Sequence, residues 1–249
     1  MEVTTAGWAL LAVAAIIVGL SKAALPGANT IAVAIFAGVL PARESTAALL
    51  LLLIVGDLFA LWAYRRHADW RALVRLAPAV VVGLLLGALF LAVADDAWVR
   101  RTIGVILLLV IAVTLWRRRA AKAPVPGPTP VRPRWPAAVG YGTVGGFTTM
   151  VANAGGPVMS MYFLASGFRV MAFLGTAAWF FALVNLAKVP FAISLGLLTP
   201  QTLLLDLTLV PAVLIGAFAG RAIASRIPQA VFERVVIVLT VVGAVYLLL

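Results

Sequence analysis

Apolar residues run along this chain in long, nearly unbroken stretches. They show neither the alternation of a half-buried strand nor the narrow stripe of a soluble amphipathic helix. Stretches near 43–64, 72–93, 99–116, 170–195, 201–222 and 231–249 each approach the ~20 residues that a helix needs to cross a bilayer. Two others, 7–40 and 137–168, are too long for one span, and each is interrupted near its middle. The interruptions read Leu25-Pro26-Gly27-Ala28-Asn29-Thr30 and Asn153-Ala154-Gly155-Gly156-Pro157. A helix gives up backbone hydrogen bonds at such places, and lipid cannot replace them. The breaks must therefore face protein or a wet cavity, and each long stretch is expected to form a pair of short helices, broken or re-entrant.

The pattern also repeats. Pro78-Ala79-Val80, Gly83 and Gly87 recur as Pro211-Ala212-Val213, Gly216 and Gly220, each 133 residues on. Ser45-Thr46-Ala47-Ala48 aligns with Gly175-Thr176-Ala177-Ala178 at an offset of 130, and Pro26 with Pro157 at 131. A collinear series points to duplication, whereas the spaced glycines alone would signify only helix packing in lipid. The expected fold is an all-α polytopic membrane protein of two pseudo-symmetric, inverted repeats. Each has a broken or re-entrant helix pair followed by three spanning helices. Residues 1–116 form the first transmembrane repeat and 137–249 the second, joined by a basic, proline-rich cytoplasmic linker at 117–136, RRRAAKAPVPGPTPVRPRWP.

Composition narrows the class. Of 249 residues 64% are apolar and 11% charged, against roughly a quarter charged in soluble domains; a soluble domain and a disordered chain are excluded. The net charge of +11 sits mostly in loops: Arg65, Arg66, Arg71 and Arg75 in one, Arg117 to Arg119, Lys122, Arg132 and Arg134 in the other. This is how cytoplasmic loops look, with anionic lipid as partner rather than nucleic acid. Asp95-Asp96 then falls on the opposite side. In the second half the bias moves to Arg169, Arg221, Arg226 and Arg234, which suggests the inversion. Glu2 precedes the first apolar stretch without a basic segment, so no cleaved signal peptide is expected. Trp62, Trp98 and Trp116 near the ends of apolar runs read as interface anchors.

Polar residues within the apolar runs carry the candidate chemistry. Helices restarting at Pro26 and Pro157 would present free N–H groups and the positive end of the dipole to an anion. Gly27, Gly155 and Gly156 allow close approach to the main chain, while Asn29, Thr30 and Asn153 add neutral donors. Lys188 lies inside an apolar run, where a charge costs roughly 3 kcal/mol and needs a partner or a cavity; Asn185, three residues earlier, shares its face. Asp57 sits 131 residues before Lys188, at the equivalent place. The two are expected either to pair or to divide proton coupling and anion binding. Lys22 is a counter-charge or an anchor, Asp206 a helix-start or boundary residue, and His67 a solvated loop residue. One histidine and no cysteine leave no metal site or cofactor to expect; an enzyme would have only an aspartyl pair, Asp57 with Asp206, and none is expected.

On these features the chain resembles the sulfite exporter TauE/SafE family, also called the toluene sulfonate uptake permeases, over nearly its whole length. The resemblance rests on the duplicated halves, Gly155-Gly156-Pro157, Gly175-Thr176, Asn185 with Lys188, the Pro211, Gly216 and Gly220 helix, and a short apolar C-terminal helix. The first half departs from the family's glycine triplet, with Lys22-Ala23-Ala24-Leu25-Pro26 instead. The resemblance implies proton-driven transport of small sulfur anions, sulfite, sulfoacetate or related sulfonates, across a bacterial cytoplasmic membrane. The substrate-binding set would be Pro26, Gly27, Asn29, Thr30, Asn153, Gly155, Gly156, Pro157, Asn185 and Lys188, with Asp57 and Lys188 coupling protons. A passive anion channel and a carboxylate transporter are the alternatives. The partners expected are the anion, protons, membrane lipids and, as an option left open, a further copy of the chain.

Overall fold

The computed structural model describes residues 3–24, 28–120, 135–166, 168 and 170–223. Among these, every regular element is helical: α1 (Thr5–Ala24), α2 (Asn29–Val39), α3 (Ala42–Tyr64), α4 (Trp70–Val93), α5 (Asp96–Ala120), α6 (Trp135–Ala152), α7 (Gly155–Ala165), α8 (Val170–Ser194) and α9 (Pro200–Ile223), with a 3₁₀ turn at Arg65–His67. Among the described residues, five helices are long and apolar enough to cross a membrane: Thr5–Ala23, Ala42–His67, Trp70–Val93, Met171–Ser194 and Pro200–Ala222. Valines and leucines such as Val74, Leu89, Leu204 and Leu207 lie exposed on the outside, as on a bundle solvated by acyl chains. Trp62, Trp98 and Trp116 are exposed as well. The expected last run, 231–249, lies outside the described residues, as does most of the linker.

Local chemistry fixes the helix starts. Asp69 accepts from the Ala72 N–H at 3.1 Å, Asp95 from that of Trp98 at 2.8 Å, and Thr199 from that of Thr202 at 3.1 Å. Each satisfies an N–H that the first turn leaves unpaired. Two expectations change. The broken stretches are not pairs of short helices: α1 has 20 residues and α6 has 18, while α2 and α7 have 11 each, about 16 Å. Each pair thus joins a long arm to a half-length one. The helical part of α5 also runs through Arg117–Arg119 to Ala120, because three arginines are good helix formers and the prolines come only later.

The pairs fold back on themselves. A Cβ on Gly7, at the start of α1, would lie 3.2 Å from Val39 at the end of α2. Tyr141 near the start of α6 meets Tyr162 of α7, ring centroids 6.0 Å apart. Small residues then let helices cross in close contact. Along α1 and α9, an added Cβ at Gly19 would lie 1.9 Å from Val213 O, and one at Gly216 2.0 Å from Ile16 O. Along α4 and α6, Gly83 stands in the same relation to Thr143 O at 2.1 Å, and Gly146 to Val80 O at 2.4 Å. Each crossing joins a helix before the linker to one after it. At one end of the bundle the Arg43 N–H donates to Asp96 at 3.0 Å. At the other, Trp179 of α8 donates to Arg65 O at 3.2 Å and packs tilted against Trp70, 4.9 Å between centroids.

Candidate functional site

The two breaks meet in the interior. Asn29, first residue of α2, donates from Nδ2 to Asn153 O at 3.0 Å. Asn153 donates in turn from its own Nδ2 to Thr46 O of α3 at 2.9 Å. Its φ is +50°, the left-handed region that asparagine tolerates better than other non-glycine residues. That conformation ends α6 abruptly and lets α7 start two residues later.

Around this joint the buried charges assemble. Lys22 in the last turn of α1 forms an ion pair and hydrogen bond with Asp57 of α3. Gly56 makes room for the lysine stem, since a Cβ there would lie 2.8 Å from Lys22 Cγ. The second carboxylate oxygen of Asp57 accepts from Asn185 Nδ2 at 2.6 Å. Lys188 donates to Thr149 O at 2.7 Å and to Asn153 Oδ1, with Asn185 Oδ1 at 3.4 Å. A cation on the final carbonyls of α6 suits the negative end of the helix dipole. Asp57 therefore pairs with Lys22 and not with Lys188, which removes the first of the two expected arrangements, an ion pair between Asp57 and Lys188. Lys188 reaches the end of α6 first, and Asn185 stands between the two charges as an amide bridge.

A cavity of about 60 Å³ opens beside this network, space for a few waters or one small oxyanion. Asn29, Thr30, Asp57, Asn153, Gly156, Pro157 and Asn185 line it. Gly156 faces open space, with nothing within 4 Å of an added Cβ. Asn29 Oδ1 is buried without a hydrogen-bond partner among the described residues, an acceptor available to a water or to an O–H on a ligand. Lys188 and Gly155, both in the expected set, do not line the cavity. Lys188 is 2% exposed and lies behind Thr149 and Asn153, while Gly155 packs against Thr149, an added Cβ falling 2.8 Å away. Pro26 and Gly27 lie outside the described residues.

The cavity wall also contains Lys22, expected as a counter-charge or an anchor, and three residues that the sequence pattern did not single out: Tyr64, Thr149 and Phe181. The Lys22 ammonium sits 4.7 Å from the centre of the Phe181 ring, a cation–π contact, and Tyr64 donates to Ala23 O at 3.0 Å. Lys22 carried a signal, a cation four residues before a break; the other three look like ordinary helix residues. Asp206 is apart from this network. It is the seventh residue of α9, past the first turn, and its buried carboxylate has no hydrogen-bond partner among the described residues, so it is not the helix-start residue expected. No group of three or more metal-ligating side chains occurs among the described residues.

The sequence model of the family described as sulfite exporter TauE/SafE matches residues 11–247. The chain belongs to that family. Members of the TauE/SafE family are membrane transporters, and the bundle of apolar, membrane-spanning helices agrees with that class. No curated protein and no solved structure matches the chain.

Proposed function

We propose that this TauE/SafE protein is a secondary active transporter of small sulfur-containing anions, coupled to protons and working by alternating access in the cytoplasmic membrane of a bacterium. The observation that carries the reading is the charge balance at the meeting point of the two breaks. The cluster contains two lysines and one acid: Asp57 pairs with Lys22, while Lys188 meets neutral groups, so with both lysines protonated it holds one buried positive charge in excess beside a cavity. Buried charge is costly unless paired, and a monoanion in the cavity would complete the pairing. Gly156 and the first N–H groups of α7 offer main-chain donors on one wall. Asn29, Asn153 and Thr149 offer polar groups on the others.

Alternating access needs two bodies that move against each other. The contacts support two inverted repeats as those bodies. α1 and α9 run parallel, as do α4 and α6, so each hairpin lies along the glycine-bearing helix of the opposite half. The α1–α2 pair opens toward the end of the bundle that holds Asp96, and the α6–α7 pair toward the end that holds Arg65. Sulfite and sulfoacetate flux into proteoliposomes of the full chain, with and without an imposed pH gradient, tests the reading. Saturable flux that an imposed gradient drives uphill is expected. Flux that never saturates and ignores the gradient would make the protein a channel, and transport of carboxylates alone would remove sulfur from the assignment.

A further inference from the structure

We propose that Asp57 is a built-in competitor for the substrate: its carboxylate occupies Lys22, and uptake of a proton by Asp57 hands Lys22 to the anion. The inference rests on the anion-transport reading above and adds the groups and the sign of the coupling. Lys22 and Asp57 both line the cavity, so the ion pair forms part of its wall. The two oxygens of Asp57 have different partners, Lys22 on Oδ1 and Asn185 on Oδ2. A proton arriving from the aqueous side and bonding to Oδ1 cancels the carboxylate charge and leaves that oxygen an O–H donor and only a weak acceptor, so it no longer holds the ammonium as an ion pair. Oδ2 keeps its bond from Asn185, so the amide bridge to Lys188 persists. Lys22 keeps its own protons and is freed with its charge. The charge of the Lys22, Asp57 and Lys188 cluster rises by one, and Phe181 already stands beside the ammonium as a second seat within the cavity wall.

The remaining groups facing Asp57 do not offer Lys22 another acid. From α8 come Asn185 and, beyond it, Lys188; from α3 itself, Tyr64 at the cavity and Arg43 and Glu44 at the far end of the helix. α2 and α6 carry no charged residue. On α5, Asp96, Arg100 and Arg101 belong to its first turns. α9 carries Asp206, which has no hydrogen-bond partner among the described residues, and Arg221, which lies 4.8 Å over the Trp62 ring.

Proton and anion then bind with positive linkage, so the protein carries them in the same direction and accumulates the anion on the alkaline side. The experiment uses methanesulfonate, a monoanion throughout the range tested, so that any pH effect comes from the protein. Binding to the purified full chain is measured between about pH 6 and about pH 8, together with uphill flux in proteoliposomes. For the native chain, affinity should fall by up to about tenfold per pH unit above the titration of Asp57. Asp57→Asn should bind as tightly at the alkaline end as the native chain does at the acid end, and should lose uphill flux. The paired variant Lys22→Gln with Asp57→Asn, which removes both charges, should bind weakly and without pH dependence. Saturable native binding that is flat with pH overturns the proposal and leaves the transporter reading standing. So does a paired variant that keeps the native pH dependence. Absence of binding and flux for every anion in the native protein removes the transporter reading itself.

Discussion

The two helix breaks solve the same problem with different chemistry. At the first, a lysine at the end of α1 meets an acid, Asp57, and forms a buried ion pair. At the second, Lys188 meets only neutral groups, a helix carbonyl and two side-chain amides. A symmetric site would hold two compensated charges or two uncompensated ones. This one holds one of each, joined through Asn185, and under the proposed coupling the difference gives a proton and an anion separate places to act.

Removing Lys188 strikes the uncompensated side and should have the largest effect. Lys188→Ala leaves Asn153 Oδ1 buried without its ammonium donor, at about 1–3 kcal/mol, takes one of two donors from Thr149 O, which keeps the Asn153 N–H, and deletes the Lys188 charge. Anion affinity should drop about 100-fold, with Lys188→Arg retaining part of it; equilibrium binding on folded, monodisperse protein reads both. Unchanged affinity in Lys188→Ala would show that the ammonium only caps α6.

The crossings come next. At Gly83 and Gly216 an added side chain would run into Thr143 O and Ile16 O, backbone atoms that can yield only if the helices separate. Overpacking of this kind costs about 1–3 kcal/mol or more, so Gly83→Leu and Gly216→Leu should each lower the thermal midpoint in detergent by several degrees. Gly140→Ala, where an added Cβ meets nothing within 4 Å, should leave it in place. Similar losses at Gly83 and Gly216 are expected if the hairpins are held equivalently; a large loss at one only would make the two crossings unequal.

Asn153 separates backbone from side chain at the second break. Asn153→Gly keeps the left-handed conformation but loses the bonds to Thr46 O and from Lys188. Asn153→Ala loses the bonds and pays the steric cost as well, about 1 kcal/mol more. Chemical or thermal unfolding of the pair should rank glycine above alanine by that amount. Equal stabilities would mean that the break relaxes to an ordinary φ once its side-chain bonds are gone.

How much of this was legible in the sequence follows from what each signal depends on. The spans come within a few residues of α3, α4, α8 and α9 because burial in lipid imposes composition on every residue of a helix. Both breaks were visible because proline, glycine and asparagine announce lost backbone bonds. The unequal arm lengths were not, since a pattern marks where a helix stops without fixing how far each arm extends. The pairing of Asp57 went to Lys22 rather than Lys188, which lies at the equivalent offset. A shared offset speaks only to position along the chain, whereas pairing depends on which helix ends cross in space. Tyr64, Thr149 and Phe181 were illegible for the same reason: each becomes part of a wall only after the two hairpins meet.

The smallest effect is expected at Gly156. Its Cβ position is open and belongs to the cavity wall, so Gly156→Ala costs little in packing. Alanine in the first turn of α7 is a better helix former than glycine by up to about 1 kcal/mol, which favours the fold. Stability should therefore hold or rise slightly. The new methyl group occupies space in a cavity of about 60 Å³, and anion affinity should fall a few-fold. The fall should be greater for sulfoacetate than for sulfite, because the larger anion needs more of the same space. Titrating both anions into native and Gly156→Ala protein checks this. Equal small losses would place the anion away from α7, and no loss at all would put it on the Lys22 side of the cavity, shifting the weight of binding to the first break.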